Sequence, residues 1–308
     1  MNTKAIAAAF VIAAAVPASA KTLGLVGVSV GSLGNPYFVA VVKGVQDEAL
    51  KINPAAKVTA VSSDYDLNKQ SNQIENFISA GVDLIVLNAA DSVAIAPAVR
   101  KAQAAGIPVV AVDVAAQGAD ATVMTDNVQA GVEACRFIAD KLGGKGDVVI
   151  VNGPHVSSVM DRVKGCESAF KATPGVKVLS NNEDAKGSRD GGFAVMQGLL
   201  TRFPHIDAVY AINDPTAIGC SLAARQLHRD ELFITSTDGA PDIEGALKDP
   251  ATRILASASQ DPYKMATDAV DLGAGIVDGK HPTEKTTLLV PDLITAQNVG
   301  GYKGWTTH

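Results

Sequence analysis

Positive charge is in short supply: 26 Lys and Arg face 32 Asp and Glu across 308 residues, a formal net charge of −6. The basic residues are scattered singly, so no patch suits a phosphate backbone or an anionic membrane surface, and no nucleic acid is expected as a partner. The five histidines (His155, His205, His228, His281 and His308) show no metal-ligand spacing, and H-E-x-x-H, G-x-S-x-G and Walker patterns are all missing. Gly27, Gly31 and Gly34 make a glycine-rich first turn without completing G-x-G-x-x-G. Catalysis, a metal centre and a dinucleotide cofactor therefore have no residue pattern behind them; neither an enzyme nor a cofactor is expected. Cysteine is scarce as well. Cys135, Cys166 and Cys220 fall in predicted helices near apolar stripes and without C-x-x-C spacing. An odd count leaves at least one thiol free. The expectation is three buried, inert thiols, with one disulfide left open as the alternative.

The one long apolar run lies at the start. Lys4 precedes an uninterrupted run over 5–16, Pro17 breaks it, and Ala18-Ser19-Ala20 has the small-x-small form of a signal-peptidase site. The run is too short to span a bilayer comfortably. Residues 1–20 thus read as a cleaved secretory leader, with a mature chain beginning at Lys21 that has no membrane span of its own. The whole chain is 47% hydrophobic and 19% charged, and its 308 residues are enough for two globular domains.

The mature chain is organised around residues 23–51. An apolar strand over 23–28 runs into Gly31-Ser32-Leu33-Gly34-Asn35-Pro36-Tyr37-Phe38 and then directly into a helix. Asn35 suits the cap and Pro36 the first turn, where a missing N–H costs nothing. Beyond it, predicted strands alternate with helices. Strands over 57–61, 82–87, 107–112 and 123–125 are followed by a second series over 147–151, 176–179, 207–212, 232–235 and 254–258, with a last strand over 287–290. Such alternation predicts parallel βαβ units. The two series echo each other: Asn88 and Asp113 recur as Asn213 and Asp238 at a common offset of 125 residues. Two stacked α/β lobes explain this better than one large sheet.

Polar side chains gather just after the strands: Asn35, Asn88, Asp113, Asn213, Asp238 and Gln260, with Arg162 near the start of its helix. Open α/β sheets bind ligands beyond the carboxyl ends of their strands, so two facing lobes would bring these groups to one cleft. Carboxylates accept, amides donate and accept, and Arg donates a planar fork. That mixture matches adjacent hydroxyls, and Tyr37 and Phe38 offer flat faces for the C–H side of a ring. Each residue also has a plainer reading: Asn35 and Asn213 as helix caps, Arg162 as a solvated partner of Asp161 or Glu167, one of Tyr37 and Phe38 as core.

At these residues the chain resembles the periplasmic sugar-binding proteins of ABC importers, and within them the ribose-binding group. The resemblance is carried by Gly34-Asn35-Pro36-Tyr37-Phe38, Ile107-Pro108-Val109-Val110-Ala111-Val112-Asp113, Arg162 followed by Gly165, Ala211-Ile212-Asn213-Asp214, Thr237-Asp238-Gly239-Ala240-Pro241-Asp242 and Gln260-Asp261-Pro262. It implies the type I periplasmic binding fold: two Rossmann-like lobes with parallel sheets, joined by a hinge of three crossings near Thr125, Gln260 and Val290. The first lobe would span 21–125 plus 260–288 and the second 126–259 plus 289–308. Asn35, Tyr37, Phe38, Asn88 and Asp113 would bind from the first lobe, Arg162, Asn213 and Asp238 from the second, and Gln260 at the hinge. The implied ligand is a neutral monosaccharide or polyol, and the implied partner an inner-membrane ABC permease. A monomer in the periplasm is expected. The alternative is a periplasmic sensor input for a chemoreceptor or kinase. Lactose-repressor-type transcription factors share the fold but carry a helix-turn-helix where this chain carries its leader. The chain departs from the ribose pattern at Val114, in place of an Arg, and at Thr237 and Gly187, in place of aromatics. Another pentose, a ketohexose or a small polyol fits as well as ribose, with Arg189 or Asp190 as substitute contacts.

Overall fold

A computed structural model describes residues 23–305. The leader and its cleavage site lie outside the described residues. The first lobe begins with β1 (Leu25–Val30), α1 (Pro36–Ile52), β2 (Lys57–Ser62), α2 (Leu67–Ala80), β3 (Leu84–Leu87), α3 (Ala96–Ala104), β4 (Val109–Val112) and β5 (Ala121–Thr125). The second contains α4 (Asn127–Lys141), β6 (Lys145–Asn152), α5 (Ser157–Lys171), β7 (Gly175–Asp184), α6 (Arg189–Arg202), β8 (Ala208–Ala211), α7 (Asp214–Gln226), β9 (Phe233–Asp238), α8 (Pro241–Lys248) and β10 (Ile254–Ser259). α9 (Pro262–Val277) returns to the first lobe with β11 (Thr286–Leu289), and β12 (Leu293–Thr295) closes the second. The expected two-lobed α/β arrangement is therefore present.

The two sheets have the same order, β2-β1-β3-β4-β5-β11 and β7-β6-β8-β9-β10-β12. Every pair is parallel except β10 with β12. The chain passes between sheets three times: after Thr125, after Ser259 and after Leu289. Strand periodicity explains the core. Val26, Val28, Val30, Val110 and Val112 pack on α1 and α9, while Ile85, Leu87, Val109 and Ala111 face α2 and α3. Burying each Val, Ile or Leu among them contributes about 1.5–3 kcal/mol, which is why these strands read as continuous apolar runs. Gly44 lets α1 and α9 touch, since a Cβ there would lie 2.7 Å from the Tyr263 carbonyl oxygen.

Two elements differ from expectation. β7 runs to Asp184, beyond the predicted 179, because it is an edge strand whose register shifts twice against β6. β12 carries no sequence signal; three residues are too few to show a period, and it exists because β10 offers it an edge. The expectation of three free thiols is also corrected. Cys135 and Cys166 form a disulfide between α4 and α5, and Cys220 is free and buried. Among the described residues no helix is long and apolar enough to cross a membrane.

Candidate functional site

The carboxyl ends of both sheets meet in one cleft. Asn88 follows β3, Asp113 follows β4, Asp238 ends β9 and Gln260 follows β10. Both aspartates hold positive φ, 65° at Asp113 and 142° at Asp238. Left-handed backbone at a non-glycine residue costs about 1–3 kcal/mol and persists only where the surroundings impose it. Here Trp305 supplies one restraint: its indole Nε1 donates to the Asp238 and Gln260 carbonyl oxygens at 3.1 and 3.0 Å.

The first lobe surrounds its carboxylate with neutral donors. Tyr37 Oη donates to Asp113 Oδ1 at 2.9 Å and Asn88 Nδ2 to Asp113 Oδ2 at 2.9 Å. Asn35 caps α1, its Oδ1 accepting from Tyr37 N at 3.0 Å. Tyr37 meets Phe38 and Trp305 edge-on, with centroids 5.3 and 5.4 Å apart. Burial raises the Asp113 carboxyl pKa; Arg162, Tyr37 and Asn88 oppose the shift without cancelling it. Burial also pushes the Tyr37 hydroxyl up, and the facing Asp113 adds to it.

The second lobe surrounds its carboxylate with a cation. Arg162 Nη1 reaches Asp238 Oδ1 at 3.4 Å and the Ile212 carbonyl oxygen at 2.9 Å, while Nε donates to Asn127 Oδ1 at 2.8 Å. Gln260 Nε2 donates to Asp238 Oδ1 at 2.7 Å. Burial acts to lower the Arg162 pKa, but Asp238 and Asp113 outweigh it and hold the guanidinium firmly charged. Asp238 is raised to about 6, mainly by burial, with Arg162 opposing. Arg162 can sit here because α4 and α5 meet backbone to backbone. A Cβ on Gly131 would lie 2.0 Å from the Arg162 carbonyl oxygen, and one on Gly165 2.1 Å from that of Val128. The Cys135–Cys166 disulfide closes the same contact.

All nine residues named from the sequence (Asn35, Tyr37, Phe38, Asn88, Asp113, Arg162, Asn213, Asp238 and Gln260) line one inner chamber of about 50 Å³. It opens past Asn35, Tyr65 and Gly187 into an outer chamber of about 460 Å³. The lobes touch along the other rim, where Ser157 Oγ accepts from Ala115 N at 2.9 Å. Val114, Val156, Val159 and Ile212 give the inner chamber an apolar floor.

Several polar atoms here have no partner among the described residues. Asn88 is 1% exposed and its Oδ1 accepts nothing. Its orientation follows from chemistry, because only the amide nitrogen can donate to Asp113. Arg162 Nη2 and Asn35 Nδ2 likewise make no bond to another described residue. Asn213 is more fully used: Oδ1 caps α7 by accepting from Thr216 N, and Nδ2 donates to the Gly187 carbonyl oxygen.

Sequence reasoning missed Tyr65, Asn127 and Asp214. Tyr65 has φ 57° and packs against Phe38, a conformation that no local pattern announces. Asp214 is buried under the outer chamber and accepts from Ser236, Ser257 and Ala240 N; burial, then Asp238, raises its pKa to about 8. Asp-Pro at the start of a helix could have flagged it, since it follows Asn213 directly. Of the substitute contacts, Arg189 lines the outer chamber and pairs with Asp242 at 2.9 Å, and Asp190 is exposed. Among the described residues no cluster of His, Cys, Asp and Glu could hold a metal ion.

Comparison with known proteins agrees with this architecture. The sequence profile of the periplasmic binding protein domain matches residues 26–281. The ribose import binding protein RbsB of Bacillus subtilis (strain 168) is 37% identical over 252 residues, covering 80% of each chain. The xylitol-binding protein of Mycolicibacterium smegmatis is 32% identical over 77% of this chain and 68% of its own. The Caulobacter myo-inositol binding protein, solved with myo-inositol, superposes with a TM-score of 0.83 at 25% identity, over 92% of this chain and 97% of its own. With two like-ordered sheets, a polar chamber between them and a family profile matching most of its length, the chain belongs to the periplasmic binding proteins.

Proposed function

We propose that the protein captures a neutral monosaccharide or small polyol in the chamber between its lobes and delivers it to an inner-membrane ABC permease. One observation carries the reading: the chamber is lined by Asn88, whose buried Oδ1 has no partner, and by Arg162 and half-buried Asn35, whose Nη2 and Nδ2 make no bond to another described residue. The Asp113 and Asp238 carboxylates add further acceptor lone pairs, one from each lobe. Vicinal hydroxyls each donate and accept, so they satisfy both kinds together; a simple anion, which only accepts, does not. Relatives described as binding ribose, xylitol and myo-inositol support the class and span pentose, acyclic and cyclic polyol.

The buried Asn88 Oδ1 explains why ligand and closure go together. A buried unpaired polar group costs about 1–3 kcal/mol, whereas in an open cleft water satisfies it. Ligand therefore favours the closed form by its greater affinity for it. We assign the lobes as 21–125 with 260–288 and 126–259 with 289–308, except that Leu289, paired with Thr125, goes with the first, and they turn about the crossings near Thr125, Gln260 and Val290. The leader is cleaved after Ala20 and the mature protein acts as a periplasmic monomer. A calorimetric screen of the mature protein against D-ribose, D-allose, D-fructose, xylitol and myo-inositol tests the reading. At least one should bind at roughly micromolar affinity or tighter, about −8 kcal/mol. Heat from amino acids or anions and none from these five would overturn it.

A further inference from the structure

Five buried residues, with the Thr125 backbone carbonyl as one link, form a closed ring of hydrogen bonds that the proposed function does not by itself require. Arg162 Nε donates to Asn127 Oδ1 at 2.8 Å, and Asn127 Nδ2 donates to the Thr125 carbonyl oxygen at 3.0 Å. Thr125 Oγ1 donates to Gln260 Oε1 at 2.9 Å, Gln260 Nε2 to Asp238 Oδ1 at 2.7 Å, and Arg162 Nη1 returns to Asp238 Oδ1. All five are at most 5% exposed. The ring joins two ligand-facing groups, Arg162 and Asp238, to two of the three places where the chain passes between sheets: Thr125–Asn127 and Gln260.

We propose that Asn127 is a positioning residue that orients Arg162 toward the ligand and ties that orientation to the first crossing between the lobes. The geometry leaves it little alternative. Arg162 has five N–H donors in a rigid fork. With Nε committed to Asn127 and Nη1 to Ile212 and Asp238, the plane of the guanidinium is set, and Nη2 is left without a bond to another described residue on a side chain that lines the chamber. Asn127 is itself held, because its other amide end is engaged by Thr125 at the crossing. Rotation at Thr125 moves Asn127, and Asn127 turns the arginine. Ligand bound on Nη2 would restrain the crossing through the same three residues. This rests on Arg162 being a ligand group, and the test separates the two claims.

Asn127→Leu keeps the volume and removes both bonds; Asn127→Asp keeps the volume and the acceptor for Arg162 Nε. The protein carries a single tryptophan, Trp305, against Tyr37 at the chamber, so its fluorescence reports binding of the tightest of D-ribose, D-allose, D-fructose, xylitol and myo-inositol. Asn127→Leu should weaken that binding about ten- to a hundredfold, the scale of one charge-assisted bond. Asn127→Asp should lose less affinity than Asn127→Leu, because it keeps the acceptor for Arg162 Nε although it gives up the bond to the Thr125 carbonyl oxygen. Introduced into Arg162→Ala, Asn127→Leu should produce no further loss, because a residue acting through the arginine has nothing left to orient. Should Asn127→Leu fail to fold, Asn127→Ala takes its place in the cycle. Unchanged binding in the Leu variant, equal losses in the Leu and Asp variants, or a loss that persists undiminished without Arg162 would each overturn the proposal. No binding of any of the five sugars and polyols by the unaltered protein would instead overturn the functional reading, and this proposal with it.

Discussion

The two lobes repeat one backbone plan and fill it with opposite electrostatics. Asp113 and Asp238 leave equivalent strands, both with left-handed backbone, and both look into the same chamber. Asp113 accepts from a phenol and an amide; Asp238 accepts from a guanidinium and an amide. The asparagines diverge in the same way. Asn88 leaves an oxygen idle in the chamber, whereas Asn213 uses its oxygen to cap α7. The plan of the sheet places a polar group at each position. Its neighbours decide whether that group is free for ligand or committed to structure.

That contrast can be broken by mutation. The largest expected effect is on stability. Asp238→Ala leaves Arg162 buried without its nearest counter-charge, and breaking a buried pair this way costs about 3–5 kcal/mol. Asp113→Ala strands only neutral donors and should cost about 1–3 kcal/mol. Urea unfolding of the two variants checks the order; equal losses would mean the lobes are not electrostatically different. Each variant should also weaken sugar binding about ten- to a hundredfold, by loss of a charge-assisted acceptor.

A smaller effect separates the asparagines. Asn213→Ala removes a helix cap and should lower stability by about 1 kcal/mol. Asn88→Ala should lower affinity as well as stability, because it removes the idle oxygen together with the Nδ2 bonds to Asp113 Oδ2 and the Val112 carbonyl oxygen. Thermal melts and fluorescence titrations of both variants would reverse the assignment if Asn88→Ala left binding intact.

A further effect is a pH slope carried by Asp214 in the second lobe. Folded Asp214 titrates at about 8 and Asp238 at about 6, both raised chiefly by burial. Between about pH 6 and 8 the native state therefore keeps the Asp214 proton that the unfolded chain has released. Stability falls as pH rises through that window. Asp214→Asn should flatten the melting temperature between those values; an unchanged slope would place its origin elsewhere.

Much of this is legible in the sequence, for physical reasons. A strand buried on both faces must be apolar throughout, so the polar residue after it marks the sheet edge; Asn88 and Asp113 stand out that way. Their echo at Asn213 and Asp238 comes from the repeated plan. The disulfide is not legible, because Cys135 and Cys166 are 31 residues apart on different helices and meet only through the crossing of α4 and α5. Gly131 and Gly165, one turn before Cys135 and directly before Cys166, are the available hint that the two helices touch. Asn127 looks like an ordinary first-turn residue, since nothing local reveals that an arginine 35 residues away lies against it.

The central claim is that neither lobe satisfies the ligand alone, so binding and closure are one event. Small-angle scattering of the mature protein tests this directly, without ligand and at saturation with whichever of D-ribose, D-allose, D-fructose, xylitol and myo-inositol binds. The radius of gyration should fall on binding, and Arg162→Ala, which removes the free donors of the second wall, should blunt the fall. Superimposable profiles with and without saturating sugar would contradict the account, even with every contact in the chamber correctly placed.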